Sequence, residues 1–167
     1  MMITVSEAIE KMIGYCKGNQ YDICHFLKVW AYAKTIGELE HLDETTQKTL
    51  EYAAIVHDIA CQDLRKQYGN APHPLQEKFG TGRAEEFYKD SGMDENMLAR
   101  ICWLVGHHHT FHDVDGLDHR ILLEADFLVN AGEQEKYRKA TDEFRQNVFR
   151  TETGIRLLNE MYAKPQE

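Results

Sequence analysis

Cysteine, proline and serine are scarce in this chain, and positive charge is in deficit. The four cysteines, Cys16, Cys24, Cys61 and Cys102, form no C-x-x-C pair, which excludes a zinc ribbon and a thioredoxin-type motif. They read as small buried hydrophobes. The amino terminus, MMITVSEAIEKMIGYCKG, lacks a basic n-region, and Glu7 and Glu10 interrupt its apolar run. It does not read as a secretory signal, so reduced thiols in a cytoplasmic compartment are expected. No apolar stretch approaches the roughly 20 residues of a membrane span. Lys and Arg number 19 against 28 Asp and Glu, a formal charge of −9. A chain of that sign repels phosphate backbones, so neither a nucleic-acid nor a membrane partner is expected.

Common catalytic signatures are missing as well. The two serines, Ser6 and Ser91, lie in no G-x-S-x-G turn. There is no G-x-x-x-x-G-K-[ST] loop, no G-x-G-x-x-G after a strand and no H-E-x-x-H. Gly80-Thr81-Gly82 is too short for a phosphate loop. The one E-x-x-H, Glu38 to His41, falls short of the paired motifs of a di-iron bundle.

What is present reads as helix. With 167 residues and 43% hydrophobic content, the chain supports one domain with a real core, and disorder is excluded. Thr4-x-x-Glu7 is a capping box ahead of a helix over about 5–17, ended by Gly18. A second helix starts near Asp22 and carries His25, Val29, Ala33 and Ile36 on one face. Asp43 caps a third that ends in Val56 and His57. Residues 69–74, with two prolines in three, read as a loop. Helix resumes over 83–89, then from Asp94 to the run His107-His108-His109. Asp118 reads as the cap of a helix closed by Gly132, and further helices are expected over 134–149 and 152–163. The expected class is all-α, six to eight helices in a single domain over 1–167, with residues 131–167 packing as C-terminal helices.

Nine histidines are more than structure alone requires. His25, His57-Asp58 and Asp126 each sit in an apolar helical segment. Asp126, between Ala125 and Phe127, is costly to bury unpaired. Singly, each has a structural reading: a satisfied core histidine, a common dipeptide, a lysine-paired carboxylate, a polar helix end. Taken together in the order H…HD…HHH…D, the structural reading becomes the poorer one. One metal ion held by His25, His57, Asp58 and Asp126 answers all four at once.

These segments resemble the HD-domain metal-dependent phosphohydrolases. Asp22-x-x-His25-x-x-Lys28-Val29-x-x-x-Ala33 is similar to that family's opening motif, with Lys28 where many members carry Arg. Ala54-Ile55-Val56-His57-Asp58-Ile59 and Glu124-Ala125-Asp126-Phe127-Leu128 resemble its two later ones. The match runs over about 20–130. The resemblance implies that His25, His57, Asp58 and Asp126 are metal ligands. It also implies that two of His107, His108 and His109 face the phosphate or a second metal; His107 and His108 are the register chosen. Two-metal members carry a further His where Gln76 stands here, and His73 is three residues out of register. One ion is therefore expected rather than two, with Glu77 able to lend an oxygen. The G-Y-P motif of cyclic-dinucleotide phosphodiesterases is missing.

Two imidazoles and two carboxylates suit Mn²⁺, Fe²⁺, Co²⁺, Ni²⁺ or Zn²⁺ better than Ca²⁺. The expected reaction is hydrolysis of a small phosphoester, a phosphomonoester or nucleotide, by a metal-activated water. Asp58 would ligate and orient that water, and His107 or His108 would serve the phosphate oxygen or leaving group. Lys28, Gln76, Glu77 and Arg83 are candidate substrate contacts, with Arg100 a further phosphate partner. Two other readings stand beside this one. One is a regulatory module that binds metal and nucleotide without turnover; the other is a helical interaction domain with structural histidines. His41, His73, His112 and His119 read as surface or loop residues.

Overall fold

The computed structural model describes residues 1–163, so expectations for 164–167 lie outside the described residues. Among the described residues the chain is all-α: α1 (Val5–Tyr15), α2 (Gln20–Leu39), α3 (Glu44–Val56), α4 (Cys61–Tyr68), α5 (His73–Tyr88), α6 (Glu95–Val105), α7 (Gly116–Glu133), α8 (Glu135–Lys139), α9 (Thr141–Asn147) and α10 (Glu152–Met161). The expected class is borne out. There are ten segments because α4 follows α3 after one turn and the stretch 134–149 divides at Ala140.

Local chemistry sets the boundaries. The Thr4 hydroxyl accepts from Glu7 N at 3.2 Å while Glu7 Oε2 accepts from Thr4 N at 2.8 Å, closing the capping box. Asp43 and Asp94 accept the first free amides of α3 and α6. Three expected boundaries move. Asn19 caps α2, accepting from Asp22 N at 3.1 Å, so the helix begins two residues before Asp22. The two prolines do not keep 69–74 out of a helix. Pro72 stands at the cap of α5 and Pro74 in its first turn, where a missing N–H costs nothing. Asp118 does not cap α7, which starts at Gly116; its carboxylate instead pairs with Arg100.

The longest helices, α2 and α7, pack on each other and on α3. Helix α6 backs α3, α5 lies against α6, α1 against α3, and α10 crosses α7 and α2. From Ile121 to Val129 every residue of α7 is buried, which makes it the central helix. Leu122, Leu123 and Leu128 pack with Phe26, Leu50, Ile55 and Leu104. Each such side chain contributes about 1.5–3 kcal/mol by burial. That packing holds Asp126 in the interior, beside His25 of α2. No helix among the described residues is long and apolar enough to cross a membrane.

Candidate metal centre

Three core helices converge their polar side chains at one point. His25 comes from the middle of α2, Asp126 from α7, and His57 and Asp58 from the turn that ends α3. His25 Nε2 lies 3.2 Å from His57 Nε2, 3.2 Å from Asp58 Oδ2 and 3.3 Å from Asp126 Oδ1. His57 Nε2 lies 3.3 Å from Asp126 Oδ1 and 3.5 Å from Asp58 Oδ2. One ligand atom from each of the four residues falls within 4.8 Å of every other. His25, His57 and Asp126 are buried, while the Asp58 side chain is 21% exposed on the open side.

The outer nitrogens show what the inner ones do. His57 Nδ1 donates to the Ala54 carbonyl at 2.8 Å, and His25 Nδ1 donates to Glu133 Oε2 at 2.9 Å. With Nδ1 carrying the hydrogen, both Nε2 lone pairs point inward. Asp126 Oδ1, buried against them, has no hydrogen-bond partner. Two lone pairs and two carboxylates facing one point require positive charge between them. Protons can supply it. Burial depresses the His25 imidazolium, but Asp126, Asp58 and Glu133 outweigh burial and raise its pKa far above the ordinary range. Burial likewise opposes protonation of His57, yet the charge of Asp58 and the contact with Asp126 bring it up to about 9. Burial works against ionisation of Asp58 and Asp126, and the facing histidines still hold both well below the usual carboxylate range. A divalent cation can supply the same charge in place of the protons, and two imidazoles with two carboxylates are a suitable donor set for a transition metal.

A cavity of about 380 Å³ opens over Asp58 and His25, bounded by His73, Gln76, His109, Arg65, Lys136 and Tyr137. A larger cleft of about 650 Å³ lies between Arg138, Asp142, Arg145 and Asn159, with no histidine in its lining. The chemistry selects the smaller one.

A family model for the HD domain matches residues 22–144. The chain belongs to the HD-domain family. Its fold is similar to the crystal structure of a predicted HD superfamily hydrolase from an uncultured Thermotogales bacterium. The TM-score is 0.70, and the likeness covers 95% of this chain and 84% of that one at 22% identity. No curated protein matches.

The HD domain sorts its remaining candidates clearly. Of the three histidines after α6, His108 and His109 face the centre and His107 does not. His107 Nδ1 donates to the Trp103 carbonyl at 2.7 Å, and its ring stacks on Trp103 at 3.9 Å. Successive side chains in a helical turn fan out by about 100°, so a run of three cannot all face one point. His108 is buried, donates from Nδ1 to the Val105 carbonyl at 2.6 Å and places Nε2 3.0 Å from Asp58 Oδ1. Asp58, His108 and His109 form a second convergent group.

Gln76 engages His109 directly. Its amide Nε2 donates to the Ala71 carbonyl at 2.5 Å, so its Oε1 accepts from His109 Nε2 at 2.7 Å. Burial, with His108 adding to it, pushes the His109 pKa down to about 2, so this ring is neutral. Glu77 accepts from His109 N at 3.0 Å and Thr110 Oγ1 at 2.8 Å, bracing the turn rather than facing the cavity. Lys28 reaches only Glu133 Oε1, at 3.0 Å. Arg83 pairs with Asp63 at 3.0 Å, and Arg100 is committed to Asp115 and Asp118; neither lines the cavity.

Other expectations also change. His73 lines the cavity, stacked flat on His109 at 3.5 Å with Nε2 3.2 Å from the Tyr137 hydroxyl. His119 is fully buried, while His41 and His112 are exposed as expected. Cys24 is exposed, unlike the other three cysteines. Glu133 escaped the sequence reading. It lies seven residues after Asp126, two turns along the same face of α7, and that spacing was the available signal.

Proposed function

We propose that this HD domain, folded as a single domain, is a metal-dependent hydrolase of a small phosphoester. His25, His57, Asp58 and Asp126 would hold one divalent transition ion from among Mn²⁺, Fe²⁺, Co²⁺, Ni²⁺ and Zn²⁺. The observation that carries the reading is the orphaned, buried Asp126 Oδ1 facing two inward imidazole lone pairs. When bound, the ion supplies Lewis-acid activation of a water and neutralises charge at the phosphoryl group.

The chain's own residues do the rest. Asp58 has two duties because its oxygens face different ways: Oδ2 toward His25 and His57, Oδ1 toward His108. As the most open member of the set, it is placed to orient the attacking water and take its proton at Oδ1. His108 Nε2 shares that proton at 3.0 Å while Val105 steadies the ring from behind. The pair can then pass the proton to the leaving oxygen. His109 stays neutral and acts as a fixed wall of the cavity, with Gln76 occupying its Nε2. Gln76, an amide where two-metal members carry a further histidine, in a group that already shares Asp58 with the first, supports one ion rather than two.

Elemental analysis of the purified protein, followed by phosphomonoester and phosphodiester panels with Mn²⁺, Co²⁺ and Ni²⁺, tests the reading. The expected result is about one ion per chain and metal-dependent turnover, both lost in Asp58→Ala. Full metal content and full activity in that variant would overturn it. Metal binding without turnover of any phosphoester would make the domain a regulatory module. A metal-free protein that refuses all these ions would make it a helical interaction domain.

A further inference from the structure

Five lysines among the described residues form no ion pair: Lys11, Lys17, Lys66, Lys78 and Lys136. Lys11 donates to the Phe87 carbonyl, and Lys78 lies over the ring of Phe79. Of the other three, Lys136 stands beside the metal cavity with its ammonium over the Tyr137 ring, and Lys17 and Lys66 lie in a neighbouring cleft. Lys17 and Lys66 line an adjoining cleft of about 530 Å³ with Gly18, Asn19 and Gln62. Arg65 lines both, so the two spaces adjoin at its side chain.

The chain is strongly acidic, yet three cations meet in this cleft against one carboxylate. That carboxylate is the buried Asp22, which pairs with Arg65 through one guanidinium nitrogen and anchors it at the junction. The rest of the guanidinium has no protein partner among the described residues. Asp63, on the same helix as Lys66, faces Arg83 and Tyr15 instead. Asn19 and Gln62 are joined to each other at 3.4 Å and add no charge. Grouped cations without carboxylates attract anions, and flexible ammonium groups suit the changing geometry of a phosphate chain.

We propose that this cleft is an anion subsite for a second phosphate, so that substrates of the centre carry a polyphosphate chain or a further phosphoryl group beyond the one hydrolysed. The inference rests on the reading of the centre as a phosphohydrolase. A nucleoside triphosphate or a bisphosphorylated small molecule has the required chemistry, and a simple monophosphate leaves the cleft unused.

Calorimetric titration of the whole protein with inorganic tripolyphosphate and with orthophosphate tests it, once after chelation and once with Mn²⁺ bound. Wild type should bind tripolyphosphate more tightly than orthophosphate in at least one arm, and more weakly as salt rises. Lys17→Ala/Lys66→Ala should lose about tenfold or more of that affinity, while retaining metal content and melting temperature. Lys78→Ala should bind as wild type. In turnover, the ratio of kcat/KM for a nucleoside triphosphate to that for its monophosphate should fall in the double variant. Unchanged tripolyphosphate affinity in the double variant, or no preference over orthophosphate in either arm, overturns the subsite. If the phosphohydrolase reading alone fails, turnover is absent while the difference in binding persists.

Discussion

Each histidine at the centre is aimed by whatever holds its other nitrogen. Ala54 and Val105 do this with backbone carbonyls, and Glu133 does it for His25 with a carboxylate. Only the last is open to mutation. Glu133→Ala should leave the fold intact and weaken metal affinity by about 10–100-fold, read by competition with a chromophoric chelator. His119 shows a histidine put to structural use. Its Nδ1 accepts from Asp115 N at 3.1 Å and its Nε2 donates to the His107 carbonyl at 2.8 Å, which the neutral ring alone can do. Burial lowers its pKa below the ordinary 6.5, against the raising effect of the His107 carbonyl, and the charges of His107 and Arg100 lower it further. The unfolded chain therefore binds the proton more readily. The stability this ring contributes is full above 6.5 and is lost as pH falls through the depressed value. Denaturant midpoints measured against pH should fall less steeply below 6.5 in His119→Gln than in wild type.

At the scale of elements, the junction of α7 and α10 depends on one buried carboxylate. Glu124 Oε1 accepts from Arg150 N at 2.7 Å and Thr151 N at 3.1 Å, and Oε2 accepts from Thr151 Oγ1 at 2.5 Å. Glu124 thus serves the backbone just ahead of α10, whose own cap is Thr151. Gly154 is what lets the carboxylate in, since a Cβ there would stand 2.0 Å from Glu124 Oε2. Gly154→Ala should cost about 1–3 kcal/mol through this overlap. Glu124→Ala should cost about 1–3 kcal/mol by stranding three donors. The two changes should be less than additive, because both act on the same contact. Equilibrium unfolding of the two single variants and the double measures all three quantities.

Much of this level was legible in the sequence. The Thr4–Glu7 box and the Asp43 and Asp94 caps act within a few residues, and they appear where the sequence places them. Asp118 misled because its preferred partner, Arg100, is distant in sequence. The prolines around His73 misled because their effect depends on position. The residue that breaks a helix in its interior is tolerated in its first turn.

Over the whole molecule, the centre ties α2, the end of α3, the end of α6 and α7 together through imidazole lone pairs and carboxylates that need positive charge between them, which a divalent cation supplies in place of protons. Metal should therefore stabilise the fold as well as the site. An ion at a hundred times its dissociation constant contributes about 2.7 kcal/mol. For a chain of this size that amounts to a rise in melting temperature of roughly 5–10 °C, reversed by chelator and absent in Asp126→Ala. Scanning calorimetry with and without Mn²⁺ decides it, and no shift in wild type would argue against ligation at this point.

By itself the sequence determined the helical class, most caps, and the residue types and order that carry the chemistry. Periodicity and capping are local, and His, Asp and Asp-flanking apolar runs keep their identity in any fold. Only the tertiary structure decided that His109 rather than His107 faces the centre, that Glu133 braces His25, that Gln76 engages His109, and that Lys136 borders the cavity. Those outcomes depend on the direction of side chains leaving a turn and on which distant helices meet, and long-range packing sets both.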